Sequence, residues 1–192
     1  MDNPGTATRI AREDVRLETP RLVLRKPRED DLEDVLDIFS DPEVTRYWSG
    51  RPWTGLDEAR DWLTRVRENH ASGTALALVL QDRDSGRVIG TCTVFQIHYT
   101  RRGEIGYALD RTRWGRGLMH EALQALVRFA FQTMDLRRLE ADIDPANTAS
   151  RRSLERLGFK REGLMRERWE VAGQVSDSEI YGLLRHEWCG GK

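Results

Sequence analysis

The sequence predicts one mixed α/β domain, and three observations carry that expectation. The stretch from Glu104 to Gly163 runs through strand, glycine-rich turn, amphipathic helix, strand, turn and glycine-ended helix. Two strand-like runs, Ala75–Gln81 and Arg87–Ile97, flank Asp84-Ser85-Gly86, whose residues tolerate turn dihedrals, so they read as an antiparallel pair. A last pair, Lys160–Val171 and Gln174–Leu184, surrounds Ala172-Gly173 as a hairpin. With 192 residues and no internal repeat, the chain fits a single domain with a sizeable core.

The elements follow in order. Met1 to about Asp14 is polar, carries Pro4 and Gly5 and shows no apolar period, so it reads as a flexible leader; the domain spans 15–189 and a short tail 190–192 follows. Arg21 to Lys26 alternates as a short strand. From Asp30 to Phe39, Leu32, Val35, Leu36 and Phe39 fall at helical spacing, and Pro42 is expected to end that helix. Val44 to Gly55 holds Tyr47, Trp48 and Trp53, and a helix runs from about Leu56 to His70. Gly103–Leu109 is a strand, Trp114–Met119 a turn, and the next helix places Ala122, Leu123, Leu126, Val127, Ala130, Phe131 and Met134 on one face. Arg138 to Asp144 alternates Leu139, Ala141 and Ile143 as a strand. Asn147 or Thr148 caps the following helix, and Gly158 ends it in the left-handed conformation, with Phe159 packing back on Leu154.

Composition narrows the function classes. Positive charge is almost entirely Arg, but acids balance it to a net charge of -1, which gives no overall electrostatic case for nucleic acid. No apolar run is long enough for a membrane span or signal peptide, so a cytoplasmic protein is expected. Cys92 and Cys189 lack metal or redox spacing and read as free thiols. His98 and His120 stand apart without a ligand pattern, so no metal is expected.

The turn Trp114-Gly115-Arg116-Gly117-Leu118-Met119 has two readings. A helix leaves its first N–H groups without internal partners, and its dipole draws anions to that end. Gly115 and Gly117 let successive amides wrap a pyrophosphate, and Arg116 supplies a mobile positive charge. The same glycines also suit an ordinary tight strand-to-helix turn. Neither common nucleotide fingerprint is present, because residue 120 is His and no Lys follows the glycines.

Further ordered motifs accompany the turn: Thr19-Pro20-Arg21-Leu22-Val23-Leu24-Arg25, Gly103-Glu104-Ile105-Gly106-Tyr107, Glu121-Ala122, Asn147-Thr148-Ala149-Ser150, Leu154-Glu155-Arg156-Leu157-Gly158-Phe159 with Glu162-Gly163, and Tyr181-Gly182-Leu183-Leu184 with Glu187-Trp188. Together they resemble the GNAT-type N-acetyltransferases, within them the subgroup of ribosomal-protein N-terminal (alanine/serine) acetyltransferases. The resemblance implies the GNAT fold of α+β type, with a mixed, mostly antiparallel central sheet of about six or seven strands flanked by about four helices. It also implies acetyl-CoA as cosubstrate, direct transfer to a primary amine without a covalent enzyme intermediate, and a homodimer.

By position the resemblance assigns coenzyme binding to Tyr107, Ala108 and Leu109 on a strand splayed from its neighbour, to Trp114, Gly115, Arg116, Gly117, Leu118 and Met119 in the turn, and to Asn147. Met119 departs from the family's small residue, and its length is expected to narrow the approach to the pyrophosphate.

The candidate catalytic residues are Ser150 and Glu104. The resemblance implies Ser150 as the proton donor to the leaving thiolate and Asn147 as a coenzyme contact; by their own positions Ser150 also reads as a first-turn cap and Asn147 as an N-cap, and both roles of Asn147 could coexist. Glu104 reads as the acceptor of the amine's proton through water, or as an ion-pair partner of Arg101 or Arg102. A carboxylate of pKa about 4.3 is a poor base, but an α-amine (pKa ~8) is substantially neutral near pH 7.5, whereas roughly one Lys amine in a thousand is. Some relatives implicate a Glu in the last hairpin, where this chain has Trp169 between Arg168 and Glu170, with Glu167 nearby. Trp48, Trp53 and Trp169 line an acceptor pocket or pack a core; Arg151-Arg152 is a solvated face or approaches the coenzyme's 3′-phosphate. The acceptor stays open among a protein N-terminus, an antibiotic amine, a polyamine and an amino acid. The rival readings are a coenzyme-responsive binding module without turnover and an Arg-mediated nucleic-acid binder.

Overall fold

The structure is a computed structural model that describes residues 15–98 and 100–190, leaving the expected leader at 1–14 and the last two residues of the tail outside the described residues. One sheet holds eight strands: β1 (Arg16–Glu18), β2 (Leu22–Arg25), β3 (Leu76–Asp82), β4 (Val88–His98), β5 (Arg102–Leu109), β6 (Arg138–Ile143), β7 (Lys160–Val171) and β8 (Gln174–Leu184). Their order is β1-β2-β3-β4-β5-β6-β8-β7. Every neighbouring pair is antiparallel except β5–β6. Among the described residues, five α-helices accompany the sheet: α1 (Leu32–Ser40), α2 (Pro42–Thr45), α3 (Leu56–Ser72), α4 (Leu118–Gln132) and α5 (Thr148–Arg156).

The mixed, mostly antiparallel sheet is as expected, with one strand and one helix more than about seven and four. The extra strand, β1, has three residues, too few to show an alternation. The extra helix, α2, is one turn that Pro42 opens rather than a continuation that it blocks. α1 already ends at Ser40, and the Asp41 carboxylate accepts from the Glu43 amide at 2.9 Å as the cap. Proline suits the first helical position because no intrahelical bond is required of its nitrogen.

The sheet is covered on both faces. On one side the apolar stripe of α4, Leu118, Ala122, Leu123, Leu126, Val127, Ala130 and Phe131, packs with Leu154 of α5 on Leu76, Leu78, Leu80, Ile105, Leu139 and Ala141. Met134 lies beyond the end of α4 and packs half-buried against the same cluster. On the other side Val35, Ile38, Phe39 and Val44 meet Val79, Val88 and Ala108. Phe39 stacks on Trp53 with ring centroids 4.6 Å apart, which makes Trp53 a core residue rather than a pocket wall.

α5 is closed at both ends by its own sequence. Asn147 Oδ1 accepts from the Ser150 amide at 3.1 Å, so Asn147 is the cap. At the other end Gly158 has φ 93°, and the amides of Gly158 and Phe159 donate to the carbonyls of Glu155 and Leu154. That pair of bonds needs a left-handed residue at Gly158, and it brings buried Phe159 back to buried Leu154. Among the described residues, no helix is long and apolar enough to cross a membrane.

One ion pair lies inside this frame. Arg25 on β2 forks onto Asp31 just before α1, with Nη1–Oδ2 at 2.8 Å and Nη2–Oδ1 at 2.7 Å, and the side chains are only 9% and 7% exposed. The Arg28 amide also donates to Asp31 at 2.7 Å, so the carboxylate holds the entry to α1 against the sheet. Removing one partner leaves a buried charge, so Asp31→Ala should lower unfolding stability by about 3–5 kcal/mol. The double variant Arg25→Met/Asp31→Leu should lose less than that, because no charge is stranded. Urea denaturation of both variants checks the order.

Candidate active site

β5 and β6 pair over three residues only: Arg102 with Arg138, Gly103 with Leu139 and Glu104 with Glu140. Beyond that point β5 stays on β4 as far as Leu109, and β6 stays on β8 as far as Ile143. From Ile105 onward the β6-facing edge of β5 therefore has no strand partner, although backbone N–H and C=O groups need one. A cleft of about 920 Å³ opens there, lined by Tyr107, Ala108 and Leu109 of β5, by the first turns of α4 and α5, and by Tyr47 and Trp48.

The turn before α4 shapes one end of the cleft. Gly115 and Gly117 take φ 74° and 73°, and Gly117 caps α4 without any side-chain bond. The first α-helical bond of α4 runs from the Glu121 amide to the Gly117 carbonyl, so the preceding amides have no partner within the helix. Leu118 is buried and Met119 is half-buried against the main core, so both reach the cleft from a chain whose side chains are anchored inward. Trp114 turns its indole N–H onto the Leu109 carbonyl at 2.8 Å, which closes the end of β5. The Arg116 side chain is exposed and has no partner among the described residues, while its carbonyl accepts from Arg21 at 2.9 Å.

The start of α5 faces β5 across the cleft. Because Asn147 caps the helix, the Ser150 hydroxyl is not needed there and lines the cleft beside Tyr107. The Tyr107 hydroxyl oxygen is buried. Burial pushes its pKa up to about 12, opposed by the nearby Ser150 side chain. The two hydroxyls are neighbours without a well-formed hydrogen bond. Arg151 is tied to Glu179 at 3.1 Å and to the Pro145 carbonyl at 2.7 Å, whereas Arg152 lines the cleft. His120 also lines it. Burial and then the charge of Arg156 lower its pKa, which keeps the ring neutral near pH 7.

Glu104 lies where the two strands part, outside the lining of the cleft. Arg101 pairs instead with Asp135 at 2.6 Å, and Arg102 with Glu140 at 3.1 Å. Burial pushes the Glu104 carboxyl above 4.5; the charges of Asp142 and Glu140 push the same way, and Arg168 and Arg102 oppose them. The last hairpin reaches this region through an irregularity in β7 between Met165 and Trp169, where Glu167 takes φ 51° and its amide donates to Asp177 at 2.8 Å. Beyond the bulge the Trp169 indole approaches Asp142 at 3.5 Å, and Ser178 donates to the same carboxylate at 2.5 Å.

The structure thus gathers Tyr107, Ala108, Leu109, Trp114, Gly115, Gly117, Leu118, Met119, Asn147 and Ser150 around one cleft and leaves Arg116 and Glu104 off its wall. Trp48 lines the cleft and packs edge-on against Phe39 at 5.1 Å; Trp169 stands over Asp142 instead. The side chain of His98 lies outside the described residues. Sequence reasoning overlooked Asp142, whose signal was the polar half of the β6 alternation. It also overlooked the Tyr107 side chain, for which no signal existed before the fold placed it next to Ser150.

The acetyltransferase (GNAT) domain family matches residues 21–160. The uncharacterized N-acetyltransferase p20 of Bacillus licheniformis is 37% identical over 175 residues, which cover 91% of this chain and 98% of that protein. The ribosomal protein uS5 alanine N-acetyltransferase of Escherichia coli (strain K12) is 30% identical over 191 residues, covering 93% and 95%. Among solved structures, RimJ of Mycobacterium smegmatis in complex with CoA-disulfide is similar at a TM-score of 0.78 and 25% identity, covering 91% of this chain and 88% of that one. With a domain match over residues 21–160 and a 37% identical relative aligned almost end to end, the chain belongs to the GNAT acetyltransferase family.

Proposed function

We propose that the protein transfers the acetyl group of acetyl-CoA to a primary amine, and that the acceptor is the α-amine of a protein N-terminus. The parting of β5 from β6 carries this reading, since it leaves an unpaired strand edge beside a helix N-terminus and a free hydroxyl. The residues present fit the coenzyme. Unpartnered first-turn amides of α4 and the free Arg116 guanidinium suit a diphosphate, and the open edge of Tyr107, Ala108 and Leu109 suits an extended amide-bearing arm. Acetyl-CoA supplies an acetyl group activated as a thioester. The acceptor nitrogen bonds to its carbonyl carbon while the carbon–sulfur bond breaks.

Ser150 Oγ gives a proton to the departing sulfur and regains one from solvent in the open cleft, to which Glu104 returns the proton taken from the amine; the buried Tyr107 hydroxyl lies behind it. Glu104 takes the amine's proton through water, made more basic by burial and by Asp142 and Glu140. A carboxylate of that kind suffices for an α-amine of pKa ~8 but is a weak match to a Lys amine. The E. coli relative that acts on ribosomal protein uS5 alanine supports the same acceptor class.

Coenzyme A binding by calorimetry, followed by thiol release with α-amino peptides, polyamines and aminoglycosides, tests the reading. Turnover on peptides is expected; polyamine or aminoglycoside turnover alone would overturn the acceptor, and absence of binding would overturn the whole reading. Ser150→Ala should lower kcat by about 10²-fold with coenzyme affinity retained; unchanged turnover would remove Ser150 from the mechanism. Glu104→Gln should lose most activity below the amine's pKa of ~8, and the loss should shrink as the pH rises past it, because the ammonium no longer has to be deprotonated before it attacks and the nitrogen's remaining surplus proton can pass to water. A loss independent of pH would contradict the proton-accepting role.

A further inference from the structure

The turn Thr19-Pro20-Arg21, a hundred residues upstream of α4, is bonded to the first turn of that helix. Glu121 Oε1 accepts from the Thr19 hydroxyl at 2.6 Å and from the Arg21 amide at 2.8 Å, and its Oε2 accepts from Arg21 Nε at 2.7 Å. The same guanidinium donates through Nη1 to the Arg116 carbonyl at 2.9 Å. One side chain therefore grips the carboxylate on α4 and the backbone of the glycine turn together. The Glu121 side chain is 15% exposed. Burial pushes its carboxyl up, and the bonds from Thr19 and Arg21 outweigh this, leaving it below 4.5 and ionised.

We propose that Arg21 and Glu121 are positioning residues for the coenzyme's diphosphate, Arg21 holding the Arg116 carbonyl back and cancelling the charge of the Glu121 carboxylate on the first turn of α4. This rests on the coenzyme reading given above. A peptide between two left-handed glycines rotates easily, and its carbonyl oxygen turned inward would face the anion. The Arg21 fork fixes that carbonyl on the outer side, with the amides on the inner side. Glu121 on the first turn suits the helix dipole but repels a bound phosphate, and the paired guanidinium removes that repulsion. The pair is thus asymmetric: loss of Arg21 frees both the carbonyl and the negative charge, while loss of the Glu121 charge loosens the anchor of Arg21 but strands no negative charge.

The test is coenzyme A affinity by calorimetry for the unsubstituted protein, Arg21→Gln, Arg21→Lys, Glu121→Gln and the double variant Arg21→Gln/Glu121→Gln, with melting points measured without ligand. Arg21→Gln should weaken binding by more than roughly tenfold, the loss expected for a charge-assisted bond plus an exposed carboxylate. The double variant should recover part of that loss. Arg21→Lys keeps the charge but cannot fork, and should bind several-fold more weakly even if Arg21→Gln fails to fold. Melting points that fall while folded Arg21→Lys and the double variant bind coenzyme A as well as the unsubstituted protein would show a merely structural tie and overturn the proposal. A double variant no better than Arg21→Gln would overturn the charge-cancelling part. Absence of coenzyme A binding by the unsubstituted protein would overturn the coenzyme reading and this proposal with it, a result distinct from normal binding by all variants.

Discussion

β5 and β6 are held together by three register pairs and then part, because each is committed elsewhere: β5 to β4 through Leu109, and β6 to β8 through Ile143. A sheet cannot leave an interior strand edge open without a reason for tolerating unpaired backbone groups. Here the reason is the same as the use. The open edge faces a cleft, and the helices that follow the two parted strands, α4 and α5, each deliver an N-terminus to it. Continued pairing of β5 with β6 beyond Glu104 would satisfy the backbone and close the cleft. The core supports the parted state from below, since Leu123, Leu126 and Val127 of α4 are fully buried in the cluster that also contains Ile105 and Leu139.

The cleft side of β5 meets helix ends and a rim of mixed charge that includes Arg113, Arg152, Glu43 and Glu155, while Glu104 stands with Glu140 and Asp142 as an acidic group where the strands part. Alternation along β5 and β6 does this with little machinery: Ile105 and Leu139 point to the core, and Glu104 and Glu140 cannot. Arg168 and Arg102 moderate the acidic side, opposing the burial and the neighbouring charges that push the Glu104 carboxyl up.

Most of the fold was legible because its signals are local. The Gly158 stop, the Ala172-Gly173 hairpin turn and the stripe on α4 are each decided by a few adjacent residues, and all appear where the sequence puts them. What was missed has a different physical origin. β1 is too short for alternation, and α2 hides behind a proline that reads equally as an end or a beginning. Whether Asn147 or Thr148 caps α5 stayed open until the Asn147 side chain was seen to take the Ser150 amide. The Tyr107–Ser150 juxtaposition, the Asp142 neighbourhood of Glu104 and the Thr19–Glu121 contact join residues far apart in sequence, and no periodicity encodes them.

Met119 shows how the two kinds of information combine. Read as a residue, it is a long side chain in a position where the family has a small one, and it should crowd the diphosphate. Read in place, it follows Leu118 into the core and half-buries itself there, so its bulk is directed partly inward. Phosphate recognition at a helix end depends on amides, which every residue but proline supplies, and on the path of the chain that aims them. Gly115 and Gly117 permit that path but do not select it, because a glycine turn is free to adopt several others. Bonds to the turn's own backbone narrow that choice, and the side chain bonded to it, Arg21, reaches in from the turn just before β2. A long residue at 119 is therefore tolerable where the turn is held from outside, and the geometry of this site is set as much by the start of the chain as by the motif itself.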